Sequence, residues 1–153
     1  MKKLNSAIIM CAGFGKRLKP LTNNVPKPLL KIDNKSLLEN TIELLFKLNI
    51  NKIFLNSHHL SQQIKKFILE KKLSKKIKVF DEKKNILGTG GGILNIIKSS
   101  KDKNYLVLNP DTIWNEKYVS EIVRMKNLYF SKKVLNMLLV VKKKNLCIFF
   151  TKE

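Results

Sequence analysis

An apolar run, Ser6-Ala7-Ile8-Ile9-Met10-Cys11, passes without a break into the turn Ala12-Gly13-Phe14-Gly15, and this feature constrains the fold more than any other in the chain. A short run of small and apolar residues bounded by glycine is the pattern of a strand buried on both faces, which calls for a parallel sheet covered by helices. Whatever follows such a strand sits at its carboxyl end, where open α/β sheets bind ligands. Gly13 and Gly15 would let backbone N–H groups approach a polyphosphate without interference from Cβ, and Arg17 and Lys27 would supply the countercharge.

The rest of the chain alternates strand-like and helix-like segments. Residues 29–32 form a short apolar piece, followed by a turn at Asp33 and Asn34 and a helix opened by Ser36, with Glu39 three positions on as in a capping box. Leu37, Leu38, Ile42, Leu45 and Leu48 fall on one side of it. Residues 52–56 read as a strand, 61–72 as an amphipathic helix with Ile64, Phe67 and Ile68 inward, and 76–80 as another strand. A glycine-rich turn then opens a helix over 93–97, and 105–109 read as a second fully buried strand. Alternation of this kind predicts a three-layer α/β fold with a mostly parallel, mixed sheet, doubly wound by helices on both faces. No repeat or low-complexity linker interrupts it, so the 153 residues read as a single domain.

Composition narrows the function classes. The net charge of +20 would ordinarily raise the case for nucleic acid, but of 31 basic residues only Arg17 and Arg124 are arginine. Arginine is the side chain suited to bidentate phosphate and base contacts, and no aromatic platform is interleaved with the scattered lysines. No nucleic-acid partner is expected. No apolar run reaches the length of a membrane span. Met1-Lys2-Lys3 before apolar residues and Cys11 looks superficially like a lipoprotein signal, yet the apolar core is short and Met10 is not the small residue a cleavage site prefers. Cys11 and Cys147 form neither a metal spacing nor a disulfide framework, so a cytoplasmic setting is expected.

The glycine spacing excludes the dinucleotide fingerprint, which needs a small residue at Leu18, and the P-loop, which needs four residues between its glycines and then Gly-Lys-Ser/Thr. The segment instead resembles the sugar-1-phosphate nucleotidyltransferase family. Cys11-Ala12-Gly13-Phe14-Gly15-Lys16-Arg17, Pro20-Leu21-Thr22 and Pro26-Lys27-Pro28-Leu29 correspond in order to its small-small-Gly-x-Gly-x-Arg, Pro-Leu-Thr and Pro-Lys-Pro-Leu pieces. The resemblance covers residues 6–114 and implies a Rossmann-like nucleotidyltransferase fold.

Two further motifs follow. Leu87-Gly88-Thr89-Gly90-Gly91-Gly92-Ile93 would open a helix with exposed N–H groups, suited to a base edge or a phosphate. In the resembled family this turn lines the nucleobase pocket, and Glu82 falls where an acidic residue is common. Thr89 before three glycines is most like the branch that uridylylates N-acetylmuramate 1-phosphate, although that branch often carries Glu in place of Gly88. Asn109-Pro110-Asp111 closes a strand, and the family's metal-binding Asp of a Gly-Asp pair corresponds to Asp111. Pro110 replaces the Gly, which would redirect the turn. His58 and His59 follow Asn56 and Ser57, where the branch has an Asn-His pair near nucleotide and sugar; they are read as loop-tip residues and assigned no metal.

The implied chemistry is attack by a sugar 1-phosphate on the α-phosphorus of a nucleoside triphosphate, releasing pyrophosphate. The attacking monoester, with a second pKa near 6, is largely dianionic at neutral pH and needs no protein base. The resemblance assigns Arg17 and Lys27 as catalytic, Ala12, Gly13, Gly15, Arg17, Lys27, Asn56, Gly88 and Thr89 to the nucleotide, and Asp111 to Mg²⁺. UTP with N-acetylmuramate 1-phosphate is the favoured pair and GTP with mannose 1-phosphate its rival. Family members continue past this length and supply a second metal-binding Asp and the sugar pocket. No Asp follows Asp111 here, so the chain reads as a member shortened at its carboxyl end, with residues 135–141 as a last strand and the Lys142, Lys143, Lys144 run as a solvated strand end. A catalytically incomplete nucleotide-binding fragment and a basic nucleic-acid binder remain the alternatives.

Overall fold

The computed structural model describes residues 4–140. One compact unit ends at Asn115 and a second begins at Glu116.

In the first unit β1 (Ser6–Met10), β4 (Lys52–Ser57), β5 (Ile77–Asp81) and β6 (Tyr105–Leu108) form a parallel sheet in the order β5-β4-β1-β6. Two two-residue strands, β2 (Lys31–Ile32) and β3 (Lys35–Ser36), make a separate antiparallel ribbon turned by Asp33 and Asn34, both at positive φ. Helices α1 (Leu37–Lys47) and α2 (Ser61–Glu70) carry the chain outward from β1 to β4 to β5, and α3 (Gly88–Lys98) carries it back to β6. A right-handed return places α3 on the opposite face from the outward crossovers, giving the doubly wound arrangement.

The pleat sorts the core. Ile8 and Phe54 share a buried cluster with Ile96 of α3, with Met10, Phe80, Ile93 and Tyr105 packed around it. Ala7, Ile9, Ile53 and Leu55 alternate with these and are fully buried on the other face, as are Leu38, Leu45 and Ile64 of α1 and α2. Ser36 caps α1 by accepting from the Glu39 N–H (3.1 Å), but the Glu39 carboxylate takes Lys71 Nζ (2.5 Å) instead of turning back to close the box.

The structure corrects four sequence expectations. The glycine run lies inside the first turns of α3, so the helix starts at Gly88 rather than at 93. Val107 of β6 is 42% exposed. It lies in register with Ile8, on the face that α3 covers chiefly over β1 and β4. Phe67 is only half-buried, with Lys71 Nζ over its ring, 6.0 Å from the centroid. Residues 135–140 carry no strand, and Leu135 and Leu138 are exposed; a strand needs a neighbour's ladder, and apolar composition alone does not supply one. Val141, Lys142, Lys143, Lys144 and Cys147 lie outside the described residues.

The second unit contains α4 (Glu116–Lys132), which begins with an acidic and ends with a basic residue, matching the helix dipole. No described helix is long and apolar enough to cross a membrane.

Acid stability follows from the end of β5. Lys65 Nζ (2.6 Å) and the Lys83 N–H (3.0 Å) both donate to Asp81, and this holds its pKa at about 2, below the ordinary 3.8. Because the folded value is the lower one, the stabilisation is present above about pH 4 and is lost as pH falls toward about 2. Replacing Lys65 with Met is therefore expected to flatten the fall in melting temperature between those pH values. An unchanged acid limb would disprove the role of the pair.

Candidate active site

The strand order reverses between β1 and β6, and a sheet of this kind binds ligands in the crevice at that reversal, outside the carboxyl ends of the strands. The turn after β1 carries Gly13, Gly15 and Arg17, and the turn after β6 carries Asp111. Topology alone thus brings together motifs nearly a hundred residues apart.

The first turn is held from beneath. Gly15 has φ +64°, and a Cβ on it would lie 2.7 Å from Thr22 Cγ2 and 3.3 Å from Lys27 Cβ. Fully buried Thr22 donates through Oγ1 to the Gly15 carbonyl (3.0 Å). His59 Nε2 donates to the Thr22 carbonyl (3.1 Å), and Gln63 Nε2 to that of Asn24 (2.8 Å), so the Pro-Leu-Thr piece is tied to the start of α2. The Phe14 ring meets both His58 (edge-on, centroids 5.2 Å apart) and His59 (5.7 Å). His59 is therefore a tether of the turn, a role the sequence reading missed, while His58 leaves its Nδ1 buried without a hydrogen-bond partner among the described residues. Gly13 is exposed, and a Cβ there would meet nothing within 4 Å. Ala12 is buried at the root of the turn. Arg17 is exposed in a single 3-10 turn and has no ion-pair partner among the described residues.

Lys27, in a 3-10 turn flanked by buried Pro26 and Pro28, reaches across to Asp111, with Nζ 2.5 Å from Oδ2. Pro110 is buried, and the turn it shapes still delivers Asp111 to Lys27. Both side chains are partly open to solvent, so the pair adds little to stability, about 0–1 kcal/mol. Such a pair exchanges readily for a phosphate on the lysine and a cation on the carboxylate. Among the described residues no three His, Cys, Asp or Glu side chains converge on a cage. A single exposed carboxylate suits a hard cation held mainly by substrate oxygens, as Mg²⁺ commonly is.

The second glycine segment is reached through buried polar side chains. Asn56, at the end of β4, accepts from the Cys11 N–H through Oδ1 (2.7 Å) and donates through Nδ2 to Glu82 Oε1 (2.8 Å). Glu82 Oε2 accepts from the Leu87 N–H (2.8 Å), immediately before Gly88. Asn56 is 2% and Glu82 8% exposed. Gly88 (φ +68°) and Thr89 lie exposed in the first turn of α3, with their N–H groups at the helix start. Burial pushes the Cys11 thiol well above its ordinary pKa, so it is no nucleophile.

A family model described as Nucleotidyl transferase matches residues 6–145. The chain belongs to this family. Among nucleotidyl transferases it is 39% identical over 109 residues to D-glycero-alpha-D-manno-heptose 1-phosphate guanylyltransferase of Campylobacter jejuni, covering 71% of this chain and 48% of the relative. It is 29% identical over 113 residues to N-acetylmuramate alpha-1-phosphate uridylyltransferase of Caulobacter vibrioides, covering 72% and 47%. The chain thus spans about half the length of the curated nucleotidyl transferases it matches. A solved structure, HddC from Yersinia pseudotuberculosis complexed with GMP-PN, superposes with a TM-score of 0.67 at 27% identity over 79% of this chain and 54% of that one. The expected Rossmann-like nucleotidyltransferase fold is thereby shown.

Proposed function

We propose that this protein transfers a nucleoside monophosphate from a nucleoside triphosphate to a sugar 1-phosphate, releasing pyrophosphate. The observation that carries the reading is the meeting of Lys27 and Asp111 at the strand reversal, beside the glycine turn that bears Arg17. No His–carboxylate pair is needed to remove a proton, because the attacking phosphate monoester is largely dianionic at neutral pH.

Catalysis rests on positioning and charge. Backbone N–H groups around Gly13 and Gly15 cradle the triphosphate, Arg17 neutralises its outer phosphates, and Lys27 bridges the phosphates of both substrates. Gly88 and Thr89 present the helix-start N–H groups of α3 to the base. Asp111 would hold Mg²⁺ together with substrate phosphates, and the ion would supply charge neutralisation at the transferring phosphoryl. Asn56 contributes from behind, since both ends of its amide are engaged within the protein.

Two substrate pairs are supported by specific observations. UTP with N-acetylmuramate 1-phosphate is favoured by Thr89 followed by three glycines, in a cytoplasmic setting. GTP with a manno-configured sugar 1-phosphate is favoured by the 39% identity to the heptose 1-phosphate guanylyltransferase. The test is pyrophosphate release with Mg²⁺ across UTP and GTP, each with N-acetylmuramate 1-phosphate, mannose 1-phosphate and D-glycero-D-manno-heptose 1-phosphate. Release with one pair is expected. Nucleotide binding without release from any pair would instead establish a nucleotide-binding fragment.

A further inference from the structure

We propose that Glu82 is a positioning residue: acting through Asn56, it locks the turn that opens α3 to the glycine turn after β1, so that base and phosphates are gripped in one fixed register. The proposal rests on the function proposed above, in which these two segments hold the two ends of one nucleotide.

The hydrogen-bond pattern is closed. Its ends are two backbone donors, the N–H groups of Cys11 and Leu87. Two side chains standing between two donors must offer an acceptor at each end and one donor facing one acceptor in the middle. Asn56 with Glu82 meets that requirement, and the Cys11 N–H fixes which end of the Asn56 amide points where. The tie joins the carboxyl ends of β1 and β4 to the segment leaving β5, and the Glu82 N–H also donates to the Ser57 carbonyl (2.8 Å). α3 presses on it through Gly92, where a Cβ would lie 2.7 Å from Asn56 Nδ2 and 2.9 Å from Glu82 Oε1. Apolar side chains would fill the same space without burying a carboxyl group, whereas a fully satisfied buried network fixes one orientation. The groups it fixes are the residue before Ala12 and Gly13 and the residue before Gly88 and Thr89.

The test follows from the donor–acceptor count. Glu82→Gln turns a donor toward the Asn56 donor, and Asn56→Asp turns an acceptor toward the Glu82 acceptor. The double variant Asn56→Asp/Glu82→Gln restores every bond with the middle one reversed and the net charge unchanged. Affinities for the preferred nucleoside triphosphate and for inorganic tripolyphosphate, which lacks a base, are measured by calorimetry well below each variant's melting temperature. Each single variant is expected to lower the ratio of the two affinities roughly 10- to 100-fold, the scale set by an unsatisfied buried polar group. The double variant is expected to regain it.

Single variants that melt earlier but keep the native ratio would overturn the proposal, since a purely structural tie moves stability alone. So would a double variant that melts like the native protein without regaining the ratio. If the singles do not fold, Gly92→Ala retains every hydrogen-bonding group while wedging the pair apart, and an unchanged ratio there would overturn it equally. Failure of the reading of the site itself shows earlier and separately, as a native protein that binds neither ligand, and this proposal falls with it.

Discussion

Replacing Lys27 with Ala is expected to lower turnover of the preferred substrate pair by roughly 10²-fold or more while shifting stability by no more than about 1 kcal/mol. The two figures differ because they draw on different environments. In the ligand-free protein Lys27 and Asp111 form a partly solvated pair, and such pairs contribute little to folding. In the reacting complex the same ammonium would face phosphate oxygens with water displaced, where one preorganised charge is worth several times more. Asp111→Asn keeps the shape and removes the charge, and a comparable loss of turnover at unchanged melting temperature is expected. Steady-state pyrophosphate release beside thermal melts checks both. A Lys27 variant with native turnover would remove the lysine from the mechanism.

The second large effect belongs to Gly15. Valine there must adopt φ near +64° and place its Cβ against Thr22 Cγ2, beneath which fully buried Thr22 cannot withdraw. Left-handed backbone costs about 1–2 kcal/mol for a residue with a Cβ, and overpacking a further 1–3 kcal/mol. A combined loss of about 2–5 kcal/mol lowers the melting temperature by on the order of 10 °C. Gly13→Ala provides the contrast, since its Cβ projects into open space. Its melting temperature is expected to stay within a few degrees while nucleotide affinity falls, because the proposed function puts the phosphates in that space. Equal melting of the two variants would contradict the described turn.

These effects also separate what the sequence made legible from what it did not. β1, β4, β5, α1 and α2 follow from local periodicity, and Gly15, Lys27 and Asp111 from motifs whose pieces keep order along the chain. The parallel ladders then place those motifs at one sheet end without further information. Illegible features depend on partners distant in sequence: Asn56 meets Cys11 across 45 positions and Glu82 across 26. A carboxylate among lysines just before a glycine run was the available hint. His59 is similarly opaque, because its partner is the Thr22 carbonyl, which no side-chain pattern advertises. α4 is a different case: it lies beyond the last motif, and only the helical spacing of Val119, Ile122 and Val123 marks it in the sequence. The exposed Val107 and the absent strand at 135–140 are failures of composition, which reports apolar character but not whether a neighbour covers or pairs it.

The sheet order has a last consequence for motion. Among the described residues β6 is held by a single ladder, to β1, whereas β4 is paired on both sides. Backbone amides of β6 will therefore exchange with solvent deuterium through smaller openings than those of β4. Asp111 follows the loosely held strand, while Asn56 lies within the firmly held one, next to its last residue. In the proposed site, the half assigned to the cation would breathe while the half assigned to the nucleotide stays closed.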